Sequence, residues 1–166
     1  MRSALLLFAI FSSLCECYSQ ELEFITLLDS GLHENSGLIL LNNRLISFQD
    51  SGNEPLLLEI DSVNGEILRT VFIDNATNID WEDICYDEEN IFIGDLGNND
   101  GNRTNLCVYK LTISDYLNTP NDTVSDQVIN FSYQDQTDFS LSTWSTIYDA
   151  ESLISYNDSL YIFTKN

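Results

Sequence analysis

The chain alternates short apolar runs with clusters of Asn, Asp, Gly and Ser. Runs of this length that are rich in β-branched and aromatic residues predict strands, and the polar clusters predict the turns between them. No long stretch has the period of an amphipathic helix, and a short helix is predicted only around 114–117. The predicted strands are 24–28, 38–41, 44–48, 55–60, 66–73, 83–86, 91–94, 106–111, 128–133, 152–155 and 160–163.

One pattern of residues occurs three times along the chain. It opens with an acid, has Ser or Glu two residues later, and has an aliphatic residue two positions after that. Each copy leads into an apolar hairpin whose second strand opens with an aliphatic residue nine positions after the Ser or Glu. A supersecondary unit that recurs in this way indicates sheets stacked one after another. The copies begin at Glu34, Asp80 and Asp149, and the second-strand aliphatics are Leu45, Ile91 and Leu160.

The spacing of the copies predicts the architecture. Between residues 34 and 80 the chain has four predicted strands, which is the content of one propeller blade. The second unit runs to about 133 with a polar insertion at 118–127, and the third has only two strands. Because a closed propeller has at least about four blades, we expect an all-β, partial β-propeller of about two and a half blades. We further expect it to be the N-terminal fragment of a longer protein, in which 24–28 is an outer strand that closes the ring with a missing C-terminal blade. A complete small sandwich or an open meander is the alternative.

The first 19 residues have the features of a secretory signal peptide. Arg2 supplies the positive charge, 4–11 the apolar segment, and 12–19 a small, polar region that ends in a cleavage site after Ser19. The apolar segment is too short to span a bilayer, which needs about 20 residues. We therefore expect 20–166 to form the domain, and the protein to be secreted, at the cell surface or in the periplasm.

The charge of the chain narrows the classes of partner. The formal net charge is −21 at pH 7, and nucleic acids and anionic membranes bind basic surfaces. Divalent cations and basic partners are attracted instead. A small molecule or an extracellular protein or glycan is the expected partner. An acidic surface that only keeps an extracellular protein soluble is the alternative.

Two of the four cysteines lie within the predicted signal peptide, which leaves Cys85 and Cys107 in the domain. Both fall on predicted strands of the second unit, the first and the third. Strands that are not neighbours lie about 9–10 Å apart, which exceeds the roughly 7 Å limit between the Cα atoms of a disulfide. We expect two buried, free thiols.

Acid pairs open the predicted innermost strands of the second and third units. They are Asp80 with Glu82 and Asp149 with Glu151, whereas the first unit has Ser36 in place of the Glu. Equivalent positions of successive blades point at one central channel, so these carboxylates are expected to converge. Clustered carboxylates raise one another's pKa or bind a cation, and carboxylate oxygens suit calcium. The sequence predicts a site for calcium or another divalent cation. Caps on strand ends that accept backbone N–H groups are the alternative.

A second motif, Asp-x-Gly-Asn, follows the second strand of the first two units. Its polar residues are Asp50 and Asn53 in the first copy and Asp95 and Asn98 in the second. They are either further oxygen ligands or turn formers, since Gly and Asx residues satisfy tight loops. Arg103 is expected to pair with a neighbouring acid.

No arrangement of a catalytic nucleophile is recognisable. His33 is the single histidine, and Gly-x-Ser-x-Gly, phosphate-loop and zinc spacings are missing from the sequence. We expect His33 to lie in a surface loop and Trp81 and Trp144 to pack in the core. A base or ligand role for His33 and a ligand site lined by the two tryptophans are the alternatives.

The runs Asp-Trp-Glu-Asp-Ile at 80–84 and Ile-Gly-Asp-Leu-Gly-Asn-Asn at 93–99 resemble those of a family of secreted β-propellers of the Bacteroidetes type. The Ser-Gly-Leu start of the first unit and the Asp-Ala-Glu-Ser-Leu start of the third are also similar, so the resemblance covers about 34–166. Gln49 departs from the Asn that is usual in that family.

More distantly, the chain is similar to SdiA-regulated, esterase-like phytase and gluconolactonase-type propellers, several of which hold a divalent cation at the channel. That resemblance implies that Glu82 and Glu151 correspond to their strand-opening glutamate. The expected function is a secreted ligand- or partner-binding module with structural calcium. The alternative is a metal-dependent hydrolase of lactonase or phosphoesterase type.

Overall fold

The computed structural model describes residues 24–140 and 144–165, so the predicted signal peptide lies outside the described residues. The described chain is all-β, as predicted, with one short helix near the expected position. The elements are β1 (Asn35–Leu41), β2 (Arg44–Gln49), β3 (Leu56–Ile60), β4 (Ile67–Asp74), β5 (Trp81–Tyr86), β6 (Asn90–Asp95), β7 (Cys107–Thr112), α1 (Ile113–Asn118), β8 (Thr123–Ser125), β9 (Gln127–Asn130), β10 (Ala150–Tyr156) and β11 (Ser159–Thr164).

The strands form three sheets in chain order. The first sheet has the order β1-β2-β3-β4-β8, the second β5-β6-β7-β9, and the third β10-β11. Neighbours along the chain pair antiparallel within each sheet. Two of the hairpin turns consist of Asn and Asp residues from the polar clusters that predict turns. Asn42 and Asn43 in the first hairpin, and Asn157 and Asp158 in the third, have positive φ angles of 48° to 62°. Asn and Asp tolerate this conformation better than other side chains do.

The polar insertion at 118–127 contains a strand that the sequence pattern does not predict. Strand β8 pairs parallel with β4, with Phe72 opposite Thr123. The adjoining Arg69 forms a salt bridge of 2.6 Å with Asp122. A segment of the second unit therefore completes the outer edge of the first sheet and ties the two units together.

The segment 24–28 forms no strand with the other described residues, and its apolar side chains are exposed. Its contacts are with the β3–β4 turn, where Thr26 Oγ1 donates a hydrogen bond of 3.2 Å to the Asn64 carbonyl. The outer edge of the first sheet is occupied by β8. The expected partner of 24–28 is a further blade, which is not among the described residues, so this pairing stays a prediction.

The core lies between successive sheets, and the innermost strands β1, β5 and β10 contact one another in that order. One apolar cluster joins the first and second sheets and a smaller cluster joins the second and third. Trp81 is fully buried in the first cluster and meets Phe48 edge-on at 5.5 Å between ring centroids, as expected for a core residue. Leu32 covers Leu58 and Ile60 on the outer part of the first sheet.

Both cysteines of the described domain are free, as predicted. Cys107 is buried and Cys85 is only partly buried. Cys85 lies opposite Phe92 whereas Cys107 lies opposite Asp95, so the two thiols stand in different rows of the second sheet. None of the helical segments in residues 24–140 and 144–165 is long and apolar enough to cross a membrane.

Candidate metal centre

Each innermost strand is irregular at the same position of the repeat. Glu82 is the extra residue of a bulge in β5, between Trp81 and Asp83. Glu151 takes the same place in β10, and β1 has a register shift in the stretch that includes Ser36. A bulge bends the strand and changes the direction of the side chain that it carries. The repeat therefore places its Glu or Ser where strict strand alternation is interrupted.

The bulges allow the apolar side chains of these strands to lie in the core while the glutamates lie outside it. Trp81 and Ile84 are three residues apart and belong to one apolar cluster, and Ala150 and Leu153 do the same in the next. In a regular strand, residues three apart point to opposite faces. The extra residue restores both apolar side chains to the core and leaves the glutamate outside it.

Five carboxylates meet at this end of the inner strands. Glu82, Asp149 and Glu151 offer oxygens that all lie within 4.8 Å of one another, and so do Asp50, Asp80 and Glu82. Glu82 belongs to both groups. We name them the first acidic group (Asp50, Asp80 and Glu82) and the second acidic group (Glu82, Asp149 and Glu151). The structure thus brings together all four acids that open the strands, together with one of the loop acids.

Hydrogen bonds between neighbouring inner strands fix this arrangement. The Ser36 hydroxyl donates to the Glu82 carbonyl at 2.7 Å. On the other side of β5, the Asp83 carboxylate accepts from the Ser152 hydroxyl at 3.0 Å and from the Leu153 N–H at 2.8 Å. Asp83 is the residue that acts between strands as a cap, whereas Glu82 accepts no such bond in the described structure.

Gly97 packs closely against the carboxylates of the first acidic group. Its N–H donates to the Asp80 carbonyl at 3.2 Å. A Cβ atom at this position would overlap the carboxylates of Asp80 and Glu82. Glycine is needed here for the close approach of the acids. In the first copy of the motif the reason differs, because Gly52 has a φ of 74° and open space around it.

The second Asp-x-Gly-Asn loop supports the acids and supplies none of the clustered oxygens. Asp95 is fully buried, pairs with Arg103 at 2.8 Å and accepts the Asp80 N–H at 3.1 Å. The expected pairing of Arg103 is therefore confirmed. The Asn98 N–H donates to the Asp149 carboxylate at 2.6 Å. This loop holds one acid of each group in place.

In the first Asp-x-Gly-Asn loop, one polar residue is a candidate ligand and the other is a turn residue. Asp50 contributes a carboxylate oxygen to the first acidic group. Asn53 instead donates its side-chain amide to the Asp50 carbonyl at 3.0 Å, and Asn78 does so at 2.9 Å. Asn53 is therefore a turn residue that positions Asp50.

Burial and mutual repulsion raise the pKa of two of the clustered acids, Glu82 and Asp80. Partial burial, followed by the charges of Glu151 and Asp80, raises the pKa of Glu82 to about 8. The pKa of Asp80 is also raised, first by burial and then by the charge of Asp50. Without a cation, the raised pKa favours a proton on Glu82 near neutral pH.

Lys165 is a part of the site that the sequence did not reveal. Its ammonium lies 2.6 Å from Asp149, 2.8 Å from Glu151 and 3.0 Å from the Asn99 side-chain oxygen. Hydrogen bonds to Asp149 and Glu151 raise the pKa of Lys165 well above its usual value. The ammonium also lies 5.5 Å from the centroid of the Trp144 ring.

Trp144 is 75% exposed beside this ammonium, so its expected place in the core is wrong. Its φ of 60° places it in a tight loop and outside a strand. His33 is exposed as predicted, and its Nδ1 lies 3.2 Å from the Gln49 side-chain amide.

The repeat contains a signal for Lys165 that the acid pattern alone does not show. Asp50 and Lys165 stand fourteen residues after Ser36 and Glu151, respectively. This position follows the second strand of the first and third units and returns the chain to the start of the first strand. In the second unit, Gly97 makes the equivalent backbone bond one residue later. The Lys165 N–H bonds to the Asp149 carbonyl at 3.0 Å, and the Asp50 N–H bonds to the Glu34 carbonyl at 2.8 Å.

A cleft of about 1120 Å³ lies elsewhere, at the turn end of the second and third sheets, between Tyr86, Lys110, Tyr156 and Leu160. The clustered acids lie at the opposite end of the same strands and do not line it.

The evidence for the function of this site is its geometry, in which oxygen donors surround one shared glutamate. No protein-family model matches this chain, and a search of the curated proteins finds no significant match.

Proposed function

We propose that the chain is a segment of a secreted β-propeller that binds calcium or another hard divalent cation between its inner strands. This end of the strands then binds a small molecule or an extracellular protein or glycan. The contact of β1, β5 and β10 in chain order supports a radial arrangement of blades. The repeated bulge at the same position of each strand supports a common axis that all three side chains face.

The sharing of Glu82 between the two acidic groups carries the proposal. Calcium takes six to eight oxygen ligands at about 2.3–2.6 Å, and carboxylates are its usual charged ligands. Three carboxylates whose oxygens lie within 4.8 Å of one another fit such an ion after small side-chain movements. The ion would also remove the repulsion that raises the pKa of Glu82.

The first acidic group is the better place for the cation. Lys165 already compensates Asp149 and Glu151 in the second group. Among the described residues, none of the salt bridges involves Asp50, Asp80 or Glu82. Asp50, Asp80 and Glu82 would hold the divalent cation, and Lys165 would act as a fixed cation beside it.

Thermal unfolding of the full chain, in calcium and in chelator, tests the proposal. Calcium is expected to stabilise the fold by RT ln(1+[L]/Kd), about 2.7 kcal/mol at a hundredfold excess over Kd. Glu82→Gln should greatly reduce the difference, because it removes the negative charge of the ligand that both groups share and leaves only a neutral amide oxygen. The control Glu88→Gln removes an exposed acid from the β5–β6 turn and should keep the full response. Equal melting in calcium and chelator for all three proteins would contradict the proposal.

One observation favours the hydrolase as a second candidate. Glu82 and Glu151 offer oxygens that lie within 4.8 Å of each other, so the two glutamates could hold the cation of such an enzyme. The bound cation would lower the pKa of a coordinated water, which would then act as the nucleophile. Turnover of chromogenic lactones or phosphodiesters that is lost in chelator and in Glu82→Gln would favour the enzyme. Calcium binding without such turnover would favour the binding module.

A further inference from the structure

Arg103 connects the two residues that hold the backbone of Asp80. The Asp80 N–H donates to the Asp95 carboxylate at 3.1 Å, and the Asp80 carbonyl accepts the Gly97 N–H at 3.2 Å. Arg103 reaches both of these partners at once. One of its terminal nitrogens lies 2.8 Å from the Asp95 carboxylate, and the other donates to the Gly97 carbonyl at 2.7 Å. One guanidinium therefore fixes both sides of a residue that supplies a carboxylate to the first acidic group.

A guanidinium is suited to this connection in a way that an ammonium is not. Its donors are held in a rigid plane, whereas the ammonium of a lysine is a single point on a flexible stem. Arg103 is also fixed by its own neighbours in the loop. Its backbone N–H donates to the Asn98 side-chain oxygen at 2.9 Å, and its Nε donates to the Asn105 side-chain oxygen at 3.2 Å. Both the backbone and the side chain of Arg103 are therefore held in place.

The ion pair of Arg103 and Asp95 adds no net charge beside the first acidic group. The Asp95 side chain is fully buried and the Arg103 side chain is only 12% exposed, so the two charges lie close together and offset each other. An unpaired positive charge at this place would repel a divalent cation. The pair can therefore hold Asp80 without opposing the binding of a cation.

Hydrogen bonds to the backbone also fix the other two members of the group. The Asp50 N–H donates to the Glu34 carbonyl at 2.8 Å. The Glu82 carbonyl accepts a hydrogen bond of 2.7 Å from the Ser36 hydroxyl. Each of the three carboxylates therefore projects from a backbone position that a neighbouring segment holds, and only the side chains are left to adjust to an ion.

Carboxylates on a fixed backbone discriminate between ions by size. Calcium accepts oxygens at about 2.3–2.6 Å in a flexible geometry, whereas magnesium requires a near-ideal octahedron at about 2.0–2.1 Å. The carboxylate oxygens of Asp50, Asp80 and Glu82 lie within 4.8 Å of one another. To bind magnesium they would have to move closer together than calcium requires, and a fixed backbone resists that movement.

We propose that Arg103 is a positioning residue that makes the first acidic group selective for calcium over magnesium. It acts through Asp95 and Gly97 on Asp80 and does not itself contact the ion. This inference rests on the proposed function, since it concerns how the same cation site distinguishes between ions. A lysine at position 103 would keep the positive charge beside Asp95 but could not reach Asp95 and the Gly97 carbonyl in the same way. Charge and positioning can therefore be separated by experiment.

Calorimetric titration of the full chain with calcium alone and with magnesium alone, at one ionic strength, tests the proposal. The wild type should bind calcium more tightly than magnesium. Arg103→Lys should weaken calcium binding by about 10- to 100-fold, the usual effect of changing a residue that orients a metal ligand. Magnesium binding should weaken less, because a loosened Asp80 can move toward the smaller ion, so the ratio of the two affinities should fall.

Arg69→Lys is the matched control. Arg69 is another largely buried arginine that contacts two acids, Glu59 and Asp122, and it lies on β4 in the outer part of the first sheet. Its substitution should lower stability in chelator, as Arg103→Lys does, but should leave both ion affinities at their wild-type values. A loss of calcium affinity in Arg69→Lys equal to that in Arg103→Lys would reduce the effect to general destabilisation and overturn the proposal.

The other outcomes separate this inference from the proposed function. A wild type that binds neither ion would overturn both. A wild type that binds the two ions equally would overturn the selectivity alone, and this comparison needs no variant. Arg103→Lys that binds as the wild type does, or that weakens both ions by the same factor, would also overturn it. If Arg103→Lys does not fold, the paired substitution Asp95→Asn with Arg103→Gln takes its place, because it removes both charges together and leaves neither buried alone.

Discussion

The two acidic groups arise from the same repeat, yet they are compensated differently. The second group receives the ammonium of Lys165, which contacts both Asp149 and Glu151. The first group receives a further carboxylate, Asp50, from the equivalent position of the repeat. One position after the second strand therefore decides whether neighbouring acids are neutralised internally or left to bind protons or a cation. The repeat fixes where the acids meet, and a single side chain sets the charge of each group.

The largest effect is expected from Gly97→Ala, which disturbs the first group alone. The new methyl group would overlap the carboxylates of Asp80 and Glu82, and overpacking of this kind costs about 1–3 kcal/mol of unfolding free energy. Calcium binding should weaken as well, because the carboxylates must move. Chemical denaturation and calorimetric titration measure the two effects.

Gly52→Ala is the matched control in the other copy of the motif. Its φ of 74° makes alanine unfavourable, but nothing lies close to the new methyl group. It should therefore cost stability without weakening calcium binding by more than a few tenths of a kcal/mol. Equal loss of calcium affinity in both variants would contradict the role assigned to Gly97.

Lys165→Gln should make the second group resemble the first. Removal of the ammonium leaves the buried Asp149 without its ion pair. A loss of about 1–2 kcal/mol is expected in chelator, since Lys165 is partly exposed and the pair is screened by solvent. Calcium should restore more stability in the variant than in the wild type, and titration should show additional bound ion. A variant that loses stability without any gain in calcium response would contradict the role of Lys165 as the cation that compensates the second group.

In chelator, the pH dependence of stability should reflect the protonation of Glu82 in the first group. Glu82 has an ordinary pKa of 4.5 when unfolded and about 8 when folded. The folded state therefore binds more protons across this range, so stability should fall as pH rises from about 5 to about 8. Glu82→Gln should flatten that part of the profile, whereas Glu88→Gln should leave it unchanged. A wild-type profile that rises with pH in this range would contradict the raised pKa.

The smallest effect is expected from substitution of Trp144, which lies beside the lysine that compensates the second group. Trp81 is buried and Trp144 is exposed near Lys165, so acrylamide should quench mainly the emission of Trp144. Trp144→Leu should remove the quenchable emission and cost about 0.5–1 kcal/mol, the usual size of an exposed cation–π contact. Lys165→Gln should change the accessible emission, whereas Glu82→Gln should leave it unaltered. Quenching that persists in Trp144→Leu would place the exposed ring elsewhere.

Much of the local structure follows from the sequence, because its causes are local. Short apolar runs rich in β-branched and aromatic residues predict most strands. The polar clusters between them predict turns, and Asn and Asp tolerate the positive φ angles of the two-residue turns. The repeat also predicts that the acids opening β5 and β10 lie near one another. Equivalent positions of stacked units face the same side, and the structure places their oxygens within 4.8 Å in the second group.

Tertiary structure decides which segments occupy the sheet edges. The segment 24–28 has a stronger strand pattern than 123–125, yet the latter pairs with β4 and the former stays unpaired. The hydrogen bond and the salt bridge of Asp122 hold β8 at this edge. Such pairing depends on where the chain returns in space, which local propensity does not encode.

Residue types and their spacing are enough to predict the all-β class, the repeat and the set of acids, because they fix strands, turns and faces. The orientation and the compensation of those acids depend on how the sheets pack. The bulge at Glu82 allows both Trp81 and Ile84 to lie in the core, and the bulge at Glu151 does the same for Ala150 and Leu153. Lys165 reaches Asp149 because the end of β11 returns beside the start of β10. Both depend on contacts between strands, and the free energy of such contacts is defined only when the sheets are packed together.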